Sequence, residues 1–449
     1  MKKLLALVLA LCMVFALCAC GAKEAPAENP APAEKPATPA EKPADAAPAV
    51  ADEITLWTYP IGKWGDSATV EALMADFKAA TGISVNVEYL DYTNGDDQVN
   101  TALEGGKAPD LIMEGPERLV ANWGEKGFMV DLADLWDDAD KQEVNAACVS
   151  ACFTADGKCY EYPVVMTAHC MGINYDAFVE AGADQYVDIE NHTWTTDGFV
   201  KAVEALYAKF GGTVGAVFCG GQGGDQGTRA LINNLYGGTY TDAAHTKYTA
   251  NTPENIKALE LLQGLDGIVY DPAIVGGDEI NLFRQGVLKM AFCWNIAQQL
   301  NTDNNDAELT NDGEKIVFMS FPSETGASQL CGGIWGFGVF DNGDDAKVAA
   351  AKEFIKYFAD GEGTAAAVTA ASYFAVRDTA GDGIDLTGIW ADNAIMNEYT
   401  KLMPYLGDYY QVTTNWANAR TAWWNMLQRV GAGGDVAAEV AQFEAEANA

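Results

Sequence analysis

The sequence is poor in histidine and in positive charge. Of its 449 residues only three are histidines, and 27 lysines and arginines stand against 64 aspartates and glutamates, which gives a formal net charge of −37. A surface this acidic repels nucleic acid and anionic lipid headgroups, so neither is expected as a partner. The charge balance favours solubility and carries no information about the fold.

Motifs of the common enzyme classes are also missing. None of the histidines (His169, His192 and His245) belongs to an H-E-x-x-H motif, and no G-x-S-x-G occurs. The glycine-rich run 220–227 lacks the Lys-Ser/Thr of a phosphate-binding loop, and Gln226 replaces the last glycine of G-x-G-x-x-G. We therefore expect no enzymatic activity, no cofactor and no metal. A surface glycosidase remains the enzymatic alternative, because its two carboxylates would be paired only in space.

Long apolar runs are confined to the N-terminus. Residues 1–19 begin with Lys2-Lys3, continue as an apolar run from Leu4, and end before Cys20-Gly21, which is the pattern of an export signal. The ending Leu-x-Ala-Cys resembles the bacterial lipobox. That resemblance implies a lipidated Cys20 and an extracytoplasmic chain anchored to the cell membrane only through this cysteine. An ordinary signal peptide containing cysteines is the alternative.

Residues 20–52 contain almost only Ala, Pro, Glu and Lys after the cysteine. Without large apolar side chains to bury, such a segment cannot offset the entropy of ordering. Its frequent prolines favour an extended polyproline II conformation. We expect a tether between the anchor and a folded part at 53–449.

The cysteines of the folded part show no disulfide framework. They are seven in number, so at least one is unpaired. Two of them stand at helical spacing and one follows a histidine, but a metal site would need further ligands, so we expect half-buried small hydrophobic side chains. The seven are Cys148, Cys152, Cys159, Cys170, Cys219, Cys293 and Cys331.

Strand and helix patterns alternate along the first part of the chain. A strand at 54–59 is followed by an amphipathic helix from Ser67 to Thr81, which Gly82 ends, and then by strands at 83–89 and 109–113. Helices are predicted at 345–358, 393–403 and 416–430. This order predicts an α/β lobe with a largely parallel sheet, followed by a helix-rich C-terminal third.

Several stretches resemble the extracellular solute-binding proteins of ABC importers, in the maltose-binding-protein-like branch called family 1. The similarity extends in order over nearly the whole chain after the tether, although each motif alone is weak. The stretches are Phe77-x-x-x-Thr-Gly-Ile-x-Val85, 106–111, 123–132, 157–163, 174–176, 193–199, 251–259, 283–294, 332–333, 352–358, 375–377 and 416–422.

The resemblance implies a type II periplasmic-binding-protein-like fold, in which two α/β lobes joined by a hinge close on a solute in the cleft. We place lobe 1 at about 53–165 and 317–359, and lobe 2 at about 166–316 and 360–449. The implied function is capture of a sugar or oligosaccharide and its delivery to the membrane permease of an ABC importer. A monomer is expected.

Two positions depart from the family's pattern. Glu114 follows the third strand where maltose-binding protein carries a tryptophan, and Thr167 stands where it carries a glutamate. A maltodextrin is therefore a poor expectation, although another sugar fits. A polyamine or a peptide is the non-sugar alternative, since Glu114 and Asp66 could hold a cation.

Candidate binding residues follow from the chemistry of sugars, whose apolar faces stack on aromatic rings and whose hydroxyls bond planar polar groups. Open α/β sheets bind ligands just beyond strand ends, so aromatic and polar residues at those points are selected. Trp294 and Trp416 match stacking positions of the resembled family. For Trp57 a core position is an equal alternative, and for Lys63 and Asp66 a solvated one. The set is Trp57, Tyr59, Lys63, Asp66, Glu114, Thr167, Trp294, Asn295, Trp335, Tyr373, Arg377 and Trp416.

Overall fold

The computed structural model describes residues 49–218, 220, 225–274, 276–300, 308–407, 413 and 415–449. The predicted signal peptide, the lipidated Cys20, nearly all of the tether and Cys219 lie outside the described residues. Within the described part no helix is long and apolar enough to cross a membrane.

The described chain forms thirteen strands, several of them only two residues long. They are β1 (Glu53–Thr58), β2 (Ser84–Tyr89), β3 (Leu111–Glu114), β4 (Tyr162–Ala168), β5 (Cys170–Asn174), β6 (Gly215–Phe218), β7 (Ile268–Asp271), β8 (Met290–Trp294), β9 (Ile316–Met319), β10 (Gly332–Val339), β11 (Phe374–Ala375), β12 (Thr379–Ala380) and β13 (Ile384–Asp385).

Sixteen α-helices are found in the same part of the chain, together with short 3-10 turns and a π-helical turn at Leu119–Gly124. They are α1 (Ser67–Thr81), α2 (Gly95–Glu104), α3 (Pro116–Arg118), α4 (Asp138–Glu143), α5 (Ala146–Cys152), α6 (Tyr175–Ala181), α7 (Thr196–Phe210), α8 (Asp225–Tyr236), α9 (Pro253–Gly264), α10 (Gly276–Arg284), α11 (Ile296–Leu300), α12 (Asp345–Ala359), α13 (Thr364–Ala371), α14 (Ala394–Tyr399), α15 (Trp416–Gly431) and α16 (Val436–Ala447).

The largest sheet has six strands in the order β11-β4-β10-β3-β1-β2. Strand β1 pairs in parallel with β2 and β3, as the alternating pattern predicts. Strand β10 instead pairs antiparallel with both β3 and β4, and β11 is antiparallel to β4. The prediction of a largely parallel sheet is wrong for the half of the sheet that contains β10, β4 and β11. Strand β10 returns there from a distant part of the chain and lies between β3 and β4.

Helix α1 shows how local sequence sets the elements that cover this sheet. The Asp66 side chain accepts the Thr69 backbone N–H at 3.0 Å and caps the helix start, and Gly82 ends it at a φ of 84°. Val70, Leu73, Met74 and Phe77 are buried at helical spacing along one face. The ring centroid of Phe77 lies 5.1 Å from that of Phe354 on α12, so the two helices share one core.

A second sheet contains three antiparallel strands in the order β8-β5-β9. The chain passes from the six-stranded sheet to this one at His169, between β4 and β5, and returns between Met319 and Gly332. The expected lobe boundaries at 165/166 and 316/317 fall within β4 and β9, a few residues before these passages. A parallel pair, β6-β7, lies beside β8, where the Lys289 backbone N–H donates to the Val214 carbonyl at 2.8 Å.

The cysteines that the structure describes are buried. Cys148, Cys152, Cys159 and Cys170 are free thiols, and burial raises the pKa of each. No group of three or more His, Cys, Asp or Glu side chains in the described part of the chain could hold a metal ion. These four residues pack as small hydrophobic side chains, fully buried and not half-buried as predicted.

Candidate functional site

Arg118 lies on α3, just after the end of β3, and contacts carboxylates from three elements, α2, β3 and α3. Its Nε donates to Asp96 Oδ1 on α2 at 2.6 Å, and its Nη1 lies 3.3 Å from Glu114 Oε1 and 3.4 Å from Glu117 Oε1. The arginine is only 3% exposed and Glu114 only 1%. Tyr59, just past β1, donates its hydroxyl proton to the same Asp96 oxygen at 2.6 Å. The ends of β1 and β3 therefore meet at one buried ion-pair network.

Three aromatic rings surround the Arg118 guanidinium. Its central carbon lies 5.2 Å from the ring centroid of Tyr59, 5.7 Å from that of Tyr92 and 5.7 Å from that of Trp416. Tyr59 and Tyr92 stack with their centroids 5.1 Å apart. We call Tyr59, Tyr92, Asp96, Glu114, Arg118 and Trp416 the Arg118 cluster. It joins rings and charged groups from the first sheet to the start of α15.

Burial and charge oppose each other in this cluster. Burial raises the pKa of Glu114 to about 8, although the neighbouring Arg118 charge lowers it. Burial also raises the pKa of Asp96, but the charge and hydrogen bond of Arg118 outweigh it, so this pKa falls below its ordinary value. At neutral pH the Glu114 carboxyl is therefore mostly protonated while Asp96 is ionised and paired with Arg118.

A second group centres on Tyr373. Its ring stacks on Trp335 of β10 with centroids 4.6 Å apart and an interplanar angle of 11°, and the His169 ring lies 6.4 Å from Trp335. Burial raises the pKa of the Tyr373 hydroxyl, and the side chain of Asn295, which follows β8, lowers it by hydrogen bonding. The indole N–H of Trp390 donates to the Tyr373 carbonyl at 2.8 Å and fixes this part of the backbone. We call Tyr373, Trp335, His169 and Asn295 the Tyr373 stack.

The two groups lie close to each other. The Glu114 charge raises the pKa of Tyr373, and Tyr373 in turn raises the pKa of Tyr92. Trp335 and Glu114 are on neighbouring strands, since Gly336 of β10 pairs with Glu114 of β3. Of the predicted residues the structure thus brings together six: Tyr59, Glu114, Asn295, Trp335, Tyr373 and Trp416.

Two predicted residues make their contacts outside the Arg118 cluster and the Tyr373 stack. Trp294 is fully buried, its indole N–H donates to Gln299 Oε1 at 2.8 Å, and its ring contacts Phe283 edge-on. Strand β8 turns this side chain into the core of the second sheet, where Phe283 and Gln299 are its partners. Arg377 is likewise buried, and its Nη1 lies 2.6 Å from Asp360 Oδ1 in an ion-pair group that shares no member with the Arg118 cluster.

The remaining predicted residues have local structural roles. Trp57 is half-buried and packs against the core of the first sheet. Lys63 is exposed in a 3-10 turn, and Asp66 caps α1 with an exposed side chain. Thr167 is fully buried in β4 and pairs with Gly333 of β10. None of these four contributes a described contact to the Arg118 cluster or the Tyr373 stack.

Sequence reasoning missed Arg118, Asp96 and Tyr92. A partial signal existed, because Arg118 follows Glu114 by four residues directly after a strand end. Asp96 and Tyr92 come from the segment after β2, whose end lies beside that of β1 in the parallel pair. Parallel neighbours place their C-terminal ends at the same edge, so the three residues could have been selected by that rule.

The family profile described as bacterial extracellular solute-binding protein matches residues 72–398. This match covers well over half of the chain. The chain belongs to this family. The family and the solved structures similar to it are binding proteins, and an extracellular location comes with the family description. No curated protein sequence matches the chain significantly.

Solved structures of ABC transporter and sugar-binding proteins share the fold. A solute-binding protein from Thermotoga lettingae, bound with α-D-tagatose, has a TM-score of 0.67 at 16% identity and covers 89% of this chain and 99% of its own. One from Agrobacterium radiobacter in complex with ribitol has a TM-score of 0.66 at 20% identity, covering 90% and 99%.

A third similar structure is the cyclic α-maltosyl-1,6-maltose binding protein of Arthrobacter globiformis. Its TM-score is 0.67 at 20% identity, and the alignment covers 90% of this chain and 98% of that one. Coverage of nearly the whole of each protein confirms the predicted periplasmic-binding-protein-like α/β fold.

Proposed function

We propose that this protein captures a sugar or sugar-derived polyol between the Arg118 cluster and the Tyr373 stack, and delivers it to the permease of an ABC importer. One observation supports this proposal: aromatic rings and buried polar groups from both sheets lie together at one place. Trp416, Tyr59 and Tyr92 surround Arg118, while Trp335 and Tyr373 stack beside Asn295. Rings suit the apolar faces of a sugar, and the arginine and carboxylates suit its hydroxyls.

The protonation of the cluster favours a neutral solute. The Arg118 charge is paired with Asp96 and lies 3.4 Å from Glu117, while burial raises the pKa of Glu114 to about 8 and favours its neutral carboxyl at pH 7. A neutral carboxyl donates one hydrogen bond and accepts others, as a hydroxyl-rich ligand requires. The solutes named for the similar structures, α-D-tagatose, ribitol and a cyclic maltosyl-maltose, are neutral as well.

The wider role that we propose follows the sequence prediction. Cys20 is the lipidated residue, 20–52 is the tether, and the folded part divides into lobe 1 (53–165 and 317–359) and lobe 2 (166–316 and 360–449). The lobes close around the solute, whose differential affinity for the closed form shifts the equilibrium. The chain acts as a monomer held near its permease partner by the lipid anchor.

The test is solute binding measured by calorimetry. D-Tagatose, ribitol and maltose are titrated into the wild-type protein, and the solute that binds is then titrated into Trp416→Ala. Removing the indole from the Arg118 cluster should lower affinity by at least about tenfold, which corresponds to about 1.4 kcal/mol. Loss of binding with retained folding would support the site.

Trp424→Ala is the matched control. Trp424 lies on the same helix, and Arg420 lies over both rings, at 5.0 Å from Trp416 and 4.8 Å from Trp424. Trp416 is the one that contacts Arg118, whose central guanidinium carbon lies 5.7 Å from its ring centroid. If both variants weaken binding equally, or if neither does, the proposed site is wrong.

A polyamine is the second candidate, because Asp96, Glu114 and Glu117 place three carboxylates around one arginine. Spermidine is therefore included in the titrations. A cation would gain affinity as Glu114 ionises near its pKa of about 8, whereas a neutral sugar has no such Coulomb term. Binding of spermidine that strengthens between about pH 6 and about pH 8, with no sugar bound, would replace the sugar proposal.

A further inference from the structure

A polar cavity of about 460 Å³ lies between helix α8 and the passage from β9 to β10. Its lining includes no member of the Arg118 cluster or the Tyr373 stack. Its walls come from α8, from the turn that follows that helix, and from residues 323–331. Hydroxyl and amide side chains predominate: Asn233, Asn234, Thr239, Thr241, Ser323, Thr325 and Gln329.

Two lining groups are buried without a partner. Ser323 is only 6% exposed, and its backbone carbonyl accepts the N–H of Thr196 at 2.9 Å and that of Gly326 at 3.2 Å. Its Oγ has no hydrogen-bond partner among the described residues, and the same holds for Oδ1 of Asn233. An unmet buried polar atom costs about 1–3 kcal/mol, and both atoms belong to residues that line the cavity.

One charged residue is found among the described residues that line the cavity. It is Glu324, an exposed side chain whose Oε1 lies 4.0 Å from Nζ of the exposed Lys257. The same Lys257 ammonium lies 3.6 Å from the ring centroid of Tyr236, which is one of two tyrosines in the wall. The lining therefore combines hydroxyls, amides and aromatic rings with one exposed charge. Such a surface suits a neutral ligand rich in hydroxyl groups.

We propose that this cavity is a second binding site, for one neutral sugar or polyol unit. Its volume of about 460 Å³ falls within the range of small-molecule sites, about 300–1,000 Å³. The proposal goes beyond the cleft site and does not depend on it, because the two sets of lining residues are different.

The cavity is built on the segment that crosses between the sheets. Asn234 on α8 holds this segment by accepting the Gln329 N–H at 2.7 Å and donating to its carbonyl at 2.8 Å. Cys331, also in the lining, accepts the His169 N–H at 2.8 Å, and His169 marks the other passage between the sheets. An occupant therefore contacts the chain at the point where one sheet connects to the other.

The experiment separates the two sites by using Trp416→Ala to weaken the cleft. Ribitol, D-glucose and maltose are each titrated into the full chain carrying this change, with saturation-transfer NMR as the readout, and crystals are soaked with the same probes. We expect one of them to bind at millimolar concentration with density in the cavity. Adding Ser323→Ala and Asn233→Leu should weaken that binding at least tenfold.

Two further variants keep the test decisive. Thr239→Trp fills the cavity from an exposed position and serves if the double variant does not fold. Thr369→Trp on α13 is the control, since Thr369 is exposed, hydrogen-bonds its own helix and does not line the cavity. Thr239→Trp should abolish the residual binding and Thr369→Trp should not.

Three outcomes would overturn the second site. The first is water alone in the cavity, with no binding to the Trp416→Ala chain. The second is binding to that chain that survives the cavity variants. The third is density that appears only at soaking concentration, with no binding in solution. Failure of the cleft proposal has a different signature, because Trp416→Ala would then leave the affinity of the wild-type protein unchanged.

Discussion

Replacing Glu114 by glutamine should change how the stability of the protein depends on pH. The wild-type carboxyl is 1% exposed, and burial raises its pKa from an ordinary 4.5 to about 8. Because the folded state binds this proton more tightly than the unfolded state, its contribution to stability is complete below about pH 4.5. That contribution is lost as the pH rises towards about 8. Glutamine keeps the shape and an acceptor oxygen but does not titrate.

The size of the effect follows from the two pKa values. Each unit of difference corresponds to about 1.36 kcal/mol, so a shift from 4.5 to about 8 gives a maximum of about 5 kcal/mol. Between about pH 5 and about pH 9 most of this range is crossed, and the wild type should lose about 4 kcal/mol more than the variant. The Glu114 charge also raises the pKa of the buried Glu161 and of Tyr373, so part of the measured difference passes through those two groups.

The assay is urea denaturation of both proteins at about pH 5, 7 and 9, with the free energy of unfolding taken from each transition. The prediction concerns the difference between the two proteins. We expect Glu114→Gln to become progressively the more stable of the two as the pH rises. If the two curves stay parallel, Glu114 has an ordinary pKa and the argument for a neutral carboxyl in the Arg118 cluster is refuted.

Three further changes test other parts of the structure. Glu279→Gln should lower the free energy of unfolding by about 1–3 kcal/mol in urea denaturation, because its two carboxyl oxygens accept two backbone N–H groups of β8 and an amide has only one oxygen. Arg377→Met should cost about 3 kcal/mol or less, because Asp140 and Asp360 lose their buried partner and keep Lys356 as a charged partner, with no change in solute affinity by calorimetry. Cys20→Ser should release the protein from the membrane fraction into the medium on immunoblots, with its solute affinity unchanged.

Local signals made the elements predictable. Helix α1 runs from Ser67 to Thr81 as expected, since its cap at Asp66 and its end at Gly82 are both encoded within the segment. The predicted helices at 345–358 and 416–430 also agree with α12 and α15 to within one residue. The predicted helix at 393–403 is instead α14 followed by a 3-10 turn, Thr400–Tyr405, which contains Pro404.

The direction of the central strands could not be predicted in the same way. Strand β10 lies between β3 and β4, more than 150 residues further along the chain, and this pairing depends on long-range contacts. No period or cap in 332–339 encodes its partners. The family resemblance supplied the fold class, and the mixed sheet appeared only in the structure.

The binding candidates divide according to what surrounds them. Trp294 and Trp416 were equally attractive as stacking rings, but β8 pairs with β5 and brings Gly172 against the Trp294 ring, where a Cβ would lie 2.9 Å from it. Trp416 instead begins α15 next to Arg118. Burial of a tryptophan by a neighbouring strand is a tertiary effect that the sequence around it does not encode.

Two buried arginines also show that local sequence does not indicate which side chain lies at the candidate site. Arg377 was predicted and Arg118 was missed, although both are nearly fully buried. The two arginines differ in the residues that each side chain contacts, and those residues come from elements far apart in the chain. Arg377 pairs with Asp140 and Asp360 without a contact to the candidate site, whereas Arg118 contacts rings from β1, the loop after β2 and α15.

Tyr373 connects the two sheets at the candidate site. Its ring stacks on Trp335 of the six-stranded sheet at 4.6 Å, and its hydroxyl lies next to the side chain of Asn295, which follows β8 of the three-stranded sheet. Any movement that separates the sheets must break one of these two contacts, since a single side chain makes both. A solute that contacts Trp335 or Asn295 therefore acts on the same bonds that hold the sheets together. Under the proposed function, capture of a solute at this place and movement of the proposed lobes would be coupled through Tyr373.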